Sequence, residues 1–535
     1  MNFNAPGWKL DSVYASFDCA EYKRDCELLK ERIADFEALL AALPQDVTAE
    51  HLVELIKGWE AAGDYAQNLA SYAEAVYTTD TRNRRAQAEI NNIEAIKLPL
   101  GKDTVIFRGA LATRRERVLA LARTDSRVKP YAFFLSEAIE KASYQMKSEL
   151  EDLANDLCRS GGGAWARLHD ALSSTAGAVM DRGGGWKTVT ELRTLANSGD
   201  RDLRRSAYFA ELEAWKAVEI PMAAALNGVK GHAITVDKRR GWKTQLQKSA
   251  FQSRISEKTL SSLISAIETA LPLFRRYLNR KAKLLGLEKC AFFDLFAPVN
   301  TDSSAVKRWT WDEASAFTAD CFEKFDPAMA DFVRQAYSKG WVDAEMRNGK
   351  IGGAYCTDFP LVKEARVFCN FEGTFASVTT IAHETGHAWH HELIKNLPRS
   401  LSIYPMTLAE TASLFAETLV FEESLGTAAA SERLALIESS VKDSCQTLVD
   451  ILSRYYFETE LFERREKKEL SPEELCAMML DAQKKTYGDA VDAEKLHPYM
   501  WAAKVHYYSP VLPFYNYPYA FGHLFALALY AHGGK

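Results

Sequence analysis

Apolar positions recur at helical spacing through most of the chain. Leu28, Leu29, Ile33, Phe36, Leu39 and Leu40 form one stripe, and Leu52, Leu55, Ile56 and Trp59 form a second. This is the i, i+3, i+4, i+7 pattern of helices that bury one face. Tyr and Ala positions carry the period from Ala61 to Arg84. The stretch from Arg85 to Arg123 is long, charged and poor in Gly and Pro, with one break predicted near Pro99-Leu100-Gly101. Short connections between these segments predict antiparallel helical hairpins from Glu21 to about Leu157. Gly161-Gly162-Gly163 and Gly183-Gly184-Gly185 are the strongest punctuation of the first half, and a strand-like Trp186 to Thr190 follows the second. The pattern predicts a surface hairpin with glycines at positive φ, and a domain boundary close by, near residue 195.

Helical spacing resumes over Asp200 to Leu226 and Lys258 to Leu285, with Pro221 and Pro272 expected to kink or interrupt it. Between them Gly228 to Ala250 reads as mixed. Asp294 to Val299 breaks the period, and Phe317 to Gly340 is helical again. Gly349 to Gly373 is the convincing extended region: Arg366-Val367-Phe368-Cys369-Asn370-Phe371 alternates β-branched and aromatic residues. No repeat or low-complexity segment appears. The expected class is mostly α with a small sheet, divided into an N-terminal helical domain (1–195) and a second domain (196–535).

Directly after the extended region stands T-I-A-H-E-T-G-H-A-W-H-H, Thr380 to His391. His383 and His387 are four apart, so on a helix they share a face, one turn above the other. One Zn²⁺ can take both imidazoles. Glu384 points elsewhere, which suits a carboxylate that acts on water beside the metal. The spacing is the H-E-x-x-H arrangement of zinc peptidases. The approach is apolar (Val378, Ile381, Ala382), and two histidines facing an interior need partners to offset their desolvation.

A catalytic zinc takes three protein ligands and keeps one position open. The extended metzincin pattern needs Gly where His390 stands and His where Leu393 stands, so His390 and His391 are not expected to be ligands, and His391 is expected to face solvent or a hydrogen-bond partner. Leu408 to Val420 is an apolar helical stretch carrying only two acids, Glu410 and Glu417, seven apart and therefore on one face. An acid in so apolar a helix is costly unless paired or metal-bound. Glu410 is the expected third ligand, and Glu417 is expected to hold a histidine N–H.

Composition narrows the picture. A chain of 535 residues with a net charge of −6 has no basic excess, which argues against nucleic acid as a partner. Nine cysteines, odd in number and without a C-x-x-C pair, support neither a disulfide framework nor a zinc ribbon and suit a reducing compartment. Cys356 and Cys369 fall near the expected cleft and read best as small buried hydrophobes. No signal peptide is evident, and the longest apolar run, Leu524 to Ala531, is too short to span a bilayer. A soluble, cytoplasmic protein is expected.

H-E-T-G-H followed by E-T-A-S-L-F-A-E resembles the oligoendopeptidase F branch of the thimet oligopeptidase family. Gly352-Gly353-Ala354-Tyr355-Cys356 and Phe371-Glu372-Gly373-Thr374 resemble the segment that family carries before its zinc helix, and K-V-H-Y-Y-S-P-V-L-P-F-Y-N-Y-P-Y-A-F-G resembles its closing motif. The resemblance covers residues from about 200 to 530. It implies a helical zincin-like body with a small sheet beside the zinc helix and a deep channel that admits short unfolded peptides. His506, Tyr507, Tyr508, Tyr515, Tyr517 and Tyr519 place six polar-tipped side chains within fourteen residues. Tyr O–H and His N–H groups suit an oxyanion; by resemblance His506 and one or two of Tyr515 and Tyr517 fill that role, Tyr515 first. The expected activity is cleavage of internal bonds of short peptides with one Zn²⁺ per chain, held by His383, His387 and Glu410, with Glu384 as general base. Arg366 to Phe371 is expected to pair with substrate as an added strand. A carboxypeptidase of similar build and a non-catalytic peptide-binding zinc protein are the alternatives; the oligomeric state is left open.

Overall fold

The computed structural model describes residues 4–181, 184–299 and 307–533. Helices dominate, and side-chain caps start many of them. Thr48, Asn83, Asp200, Thr244, Ser256, Thr310, Thr374 and Ser471 each accept a hydrogen bond from a first-turn N–H, which satisfies a donor that the helix itself leaves unpaired.

The N-terminal part is built on three long helices, Ala20–Ala41, Ala49–Thr79 and Arg84–Thr113. Tyr14, Phe17, Tyr22 and Tyr72 meet edge-on at one end, with ring centroids 5.0–5.8 Å apart, and Phe36, Leu52, Phe107 and Leu111 fill the other. The break expected at Pro99 is absent: Arg84–Thr113 runs through it. Pro99 lies on the exposed side, where water can take the freed carbonyl, while Ile93 and Phe107 anchor the opposite face. Pro272 likewise sits exposed within an uninterrupted Glu257–Leu284. Pro221 falls in the first turn of Glu219–Arg239, where no N–H is needed.

The stretch read as mixed from Gly228 is helical as far as Arg239. Gly228 marks a close approach here: a Cβ on it would lie 2.5 Å from the Trp165 ring. Gly162 and Gly163, read as punctuation, open the helix Gly162–Thr175. The expected hairpin forms from β1 (Gly177–Val179) and β2 (Trp186–Thr188), paired antiparallel, with Gly184 and Gly185 at φ +65° and +86°; Gly183 lies outside the described residues.

The second sheet has three strands, β3 (Val342–Asp343), β4 (Tyr355–Phe359) and β5 (Glu364–Phe368), in the order β3-β5-β4. β5 pairs parallel with β3 and antiparallel with β4. Its residues Ala365 and Val367 join a core with Val378, Ile381 and Ala382 of the helix Phe375–Ile394 and with Ala416 and Val420 of the helix Met406–Thr427. The N-terminal helices grip the sheet from the other side. Phe359 enters their core, the Thr78 and Tyr355 hydroxyls lie 2.6 Å apart, and Thr357 donates to Ser71 Oγ. No helix among the described residues is long and apolar enough to cross a membrane.

Lys230 and Glu458 join two helices of the second half through an ion pair of 2.7 Å, with side chains 0% and 2% exposed. Removing one charge strands the other in the core. Glu458→Gln is expected to destabilise the protein by about 3 kcal/mol in urea unfolding, and Lys230→Met/Glu458→Leu to recover most of that loss.

Candidate active site

Two helices and the turn before them bring the site together. Thr374 caps Phe375–Ile394 through Ser377 N–H, and Ser377 Oγ accepts from Glu372 N–H, fixing the step from sheet to helix. One face of this helix (Val378, Ile381, Thr385) is buried, and His383 and His387 project from another. Gly386, between them in the sequence, lies against Met406–Thr427: a Cβ there would stand 2.7 Å from Ala416 Cβ and 3.0 Å from the Ala412 carbonyl oxygen. On its far side the same helix meets the C-terminal helix Tyr517–Gly533, where a Cβ on Gly522 would lie 2.9 Å from Glu410 Cβ and 3.1 Å from its carbonyl carbon. Glu410 is thus carried on a helix wedged between two others, each approaching through a glycine.

His383 Nε2 lies 3.4 Å and His387 Nε2 3.9 Å from Glu410 Oε2. The ligand atoms of His383, His387 and Glu410 all fall within 4.8 Å of one another, the one such group of three among the described residues. Tetrahedral zinc with bonds of about 2.0–2.1 Å holds its ligand atoms roughly 3.3 Å apart, so the donor set fits the ion in type and spacing. His383 Nδ1–H donates to Glu417 Oε1 at 2.5 Å, which turns Nε2 toward Glu410, and Ser413 Oγ donates to Glu410 Oε2 at 3.2 Å. Sequence spacing leads to this grouping because every member projects from a regular helix.

Burial and the neighbouring carboxylates set opposing charge states on the cluster's residues. Burial drives His383 toward neutrality, but Glu410 and Glu417 outweigh it and raise the imidazole to about 10. His387 falls to about 4, through burial and the neighbouring His383 charge. Glu384 rises to about 7, by burial and by the Glu410 and Glu417 charges, with His383 opposing. His390 and His391 stand apart from the cluster. The His390 ring packs on Tyr404 at 4.4 Å, and His391, expected to face solvent or a partner, is half-buried with Nε2 lacking a hydrogen bond.

Of the C-terminal tyrosines, Tyr517, expected to act at the cluster, has its hydroxyl engaged elsewhere. Its ring is buried in the core, and its hydroxyl donates to Ser253 Oγ (2.8 Å) and accepts from Ser249 Oγ (3.2 Å). Tyr507 and Tyr508 are fully packed. His506 stacks on Tyr515 with centroids 4.5 Å apart, and Tyr515 leads to Tyr519 at 6.2 Å. Burial raises the Tyr519 hydroxyl, followed by the Glu410 charge, Tyr515 and Glu384. Its signal in the sequence is the spacing to Gly522, three residues on and on the same helical face. His506 is pushed down to about 4 by burial and by Arg454 and Lys504.

The strand assignment also needs correction. β5 is the central strand, with β3 and β4 on either side, so Arg366 to Phe368 cannot accept a further strand. The Arg366 guanidinium is buried and donates to the Lys9 carbonyl and to Glu364. β4 has the edge that no strand covers among the described residues, and Cys356 on it is raised well above the usual thiol range by burial and then by the Glu384 charge.

The family model described as Peptidase family M3 matches residues 194–533, and one described as Oligopeptidase F matches residues 111–175. Oligopeptidase PepF of Bacillus subtilis is 22% identical over 531 residues, 98% of this chain and 78% of that protein. Group B oligopeptidase PepB of Streptococcus agalactiae is 27% identical over 347 residues, 63% of this chain and 55% of the relative, so this match spans about half of the relative's length. The crystal structure of oligoendopeptidase-F from Enterococcus faecium shares the fold, with a TM-score of 0.68 at 17% identity over 96% of this chain and 88% of that one.

The Gly522 contact meets main-chain atoms, which cannot swing aside as a side chain does. Gly522→Ala is expected to cost about 1–3 kcal/mol by overpacking, measured by urea unfolding, whereas alanine at Gly426, which has nothing within 4 Å, is expected to be neutral or mildly stabilising.

Proposed function

The chain belongs to peptidase family M3, and from that premise we propose that it is a zinc-dependent oligoendopeptidase that hydrolyses internal bonds of short, unfolded peptides. The observation that carries the reading is the convergence of His383, His387 and Glu410 ligand atoms within 4.8 Å, with Glu384 buried beside them. A purely structural zinc has no use for that carboxylate.

These three residues would hold one Zn²⁺ per chain. The ion, when bound, would lower the pKa of a water and polarise the scissile carbonyl. Glu384 takes the proton of the water that attacks the carbonyl carbon and delivers it to the leaving amine nitrogen as the C–N bond breaks. Glu417 fixes the ring orientation of His383 through Nδ1–H. Tyr519, backed by Tyr515 and His506, donates to the developing oxyanion, a role we now give to Tyr519 ahead of Tyr515. The uncovered edge of β4 offers main-chain groups for an extended peptide, an interaction that tolerates many side chains.

The direct test uses an internally quenched peptide of about ten residues, blocked at both ends. Wild type is expected to cut it, and Glu384→Gln to retain its zinc and cut at least about 10²-fold more slowly; zinc-loaded wild type that leaves the peptide intact refutes the endopeptidase reading. Among the tyrosines, Tyr519→Phe is expected to lower kcat about 10²–10³-fold. Tyr517→Phe should spare kcat and cost about 1 kcal/mol of stability through its lost hydrogen bonds, as steady-state kinetics and urea unfolding will read.

A further inference from the structure

A pocket of about 170 Å³ lies between the N-terminal helices and the link that joins the two site helices. Three cations line it, Arg108, Lys141 and Arg254, with Glu137 as the one carboxylate among its lining residues. Glu137 is already engaged. It accepts from Arg254 Nε at 2.6 Å and Nη2 at 3.0 Å, and from Lys141 Nζ at 2.9 Å. The next acid, Glu151, accepts three hydrogen bonds from Arg240, of 2.6, 3.0 and 3.2 Å. Arg108 therefore has no carboxylate within ion-pair distance among the described residues, although burial holds its guanidinium below the usual range. Lys141 is lowered by burial, with Arg108 and Arg254 adding to the effect against Glu137. Trp59, Phe107 and Phe134 form the wall, their rings 5.1–6.5 Å apart, and such a wall strengthens any charge interaction inside.

Hydrogen bonds and chain neighbours link the pocket residues Arg254 and Ile403 to the two site helices. Arg254 Nη1 donates to the Ile403 carbonyl; Tyr404, next in the chain, packs on His390 of the H-E-x-x-H helix. Ser253, before Arg254, accepts at its carbonyl from Thr407 Oγ1, one turn ahead of Glu410. Arg254 itself is held at φ +53°, a conformation costly for a non-glycine residue. Trp59 and Thr104 also line a larger cavity of about 1250 Å³ that reaches Arg399, so the two spaces share a wall. A site with two positive charges in excess, a free planar guanidinium and apolar walls suits a carboxylate, which pairs with arginine through two parallel hydrogen bonds.

We infer that the pocket formed by Arg108, Lys141 and Arg254 receives the free C-terminal carboxylate of the peptide substrate, an assignment that rests on the peptidase reading above. The same chemistry could come from a free anion, and the test separates the two sources. One quenched peptide is made with a C-terminal acid and with a C-terminal amide, and each is assayed with wild type, Arg108→Gln and Arg108→Lys, with and without inorganic phosphate. In wild type the acid is expected to exceed the amide in kcat/KM by about tenfold, carried by KM. In Arg108→Gln the ratio should fall to about one, and Arg108→Lys should keep part of it. The ratio is internal to each enzyme, so partial loss of folded protein does not disturb it. A wild-type ratio of one, or a ratio that Arg108→Gln leaves intact, overturns the inference. So does phosphate that changes acid and amide cleavage by the same factor in wild type but not in Arg108→Gln, an outcome that gives the pocket to a free anion. Equal cleavage of both peptides sinks this inference alone, whereas cleavage of neither sinks the peptidase reading with it.

Discussion

Two buried carboxylates, Glu384 and Glu410, need positive charge beside them, and the surrounding structure holds them next to His383 and His387. Glu384, Glu410 and Glu417 lie on two helices that are otherwise apolar where they meet, and together they raise His383 to about 10 against the pull of burial. On the reading proposed above, a divalent ion would accept both imidazoles and Glu410 at once and offset the buried carboxylates. The close helix contacts at Gly386 and Gly522 serve this constraint. Both remove a side chain where a backbone must approach, and both bracket the acid that closes the cluster.

How far the sequence could be read depends on which force fixes each feature. His383, Glu384 and His387 were legible because helical periodicity alone determines their relative directions. Glu410 was legible from its cost: an acid in an apolar helix implies a partner. Features set by contacts between distant segments were not. Gly228 looks like a helix breaker until Trp165 is found against it. Arg366 to Phe371 has the composition of a strand, but only the pairing with both β3 and β4 reveals that its edges are taken. The tyrosines alternate at intervals of two, and which of them reaches the cluster depends on where the last helix begins. That helix opens at Tyr517, so Tyr517 and Tyr519 project from nearly opposite sides of its first turn.

Arg108 was invisible for a related reason. Arg85 to Arg123 reads as a long charged stretch broken near Pro99, on which any arginine passes for a solvated side chain. Its burial comes from elsewhere: Glu137, Lys141 and Arg254 lie on segments beginning about 30 and 145 residues away, and their mutual pairing is what leaves Arg108 without a partner. Pairing bookkeeping across the fold exposes such a residue; periodicity cannot.

The two polar features pull on different parts of a peptide. A strand edge such as that of β4 binds main-chain groups, which every peptide offers, so it confers affinity with little choice of sequence. Such binding by itself would accept a loop of a folded protein as readily as a short peptide. A chain terminus is what a short peptide has and an internal loop lacks. A cationic pocket joined to the cluster through Arg254 and Ile403 would therefore select for free ends without selecting for side chains. On the reading proposed above, broad sequence tolerance and a preference for small substrates would follow from two ordinary interactions, main-chain pairing and a buried carboxylate–guanidinium contact, and neither requires a pocket shaped for any particular residue.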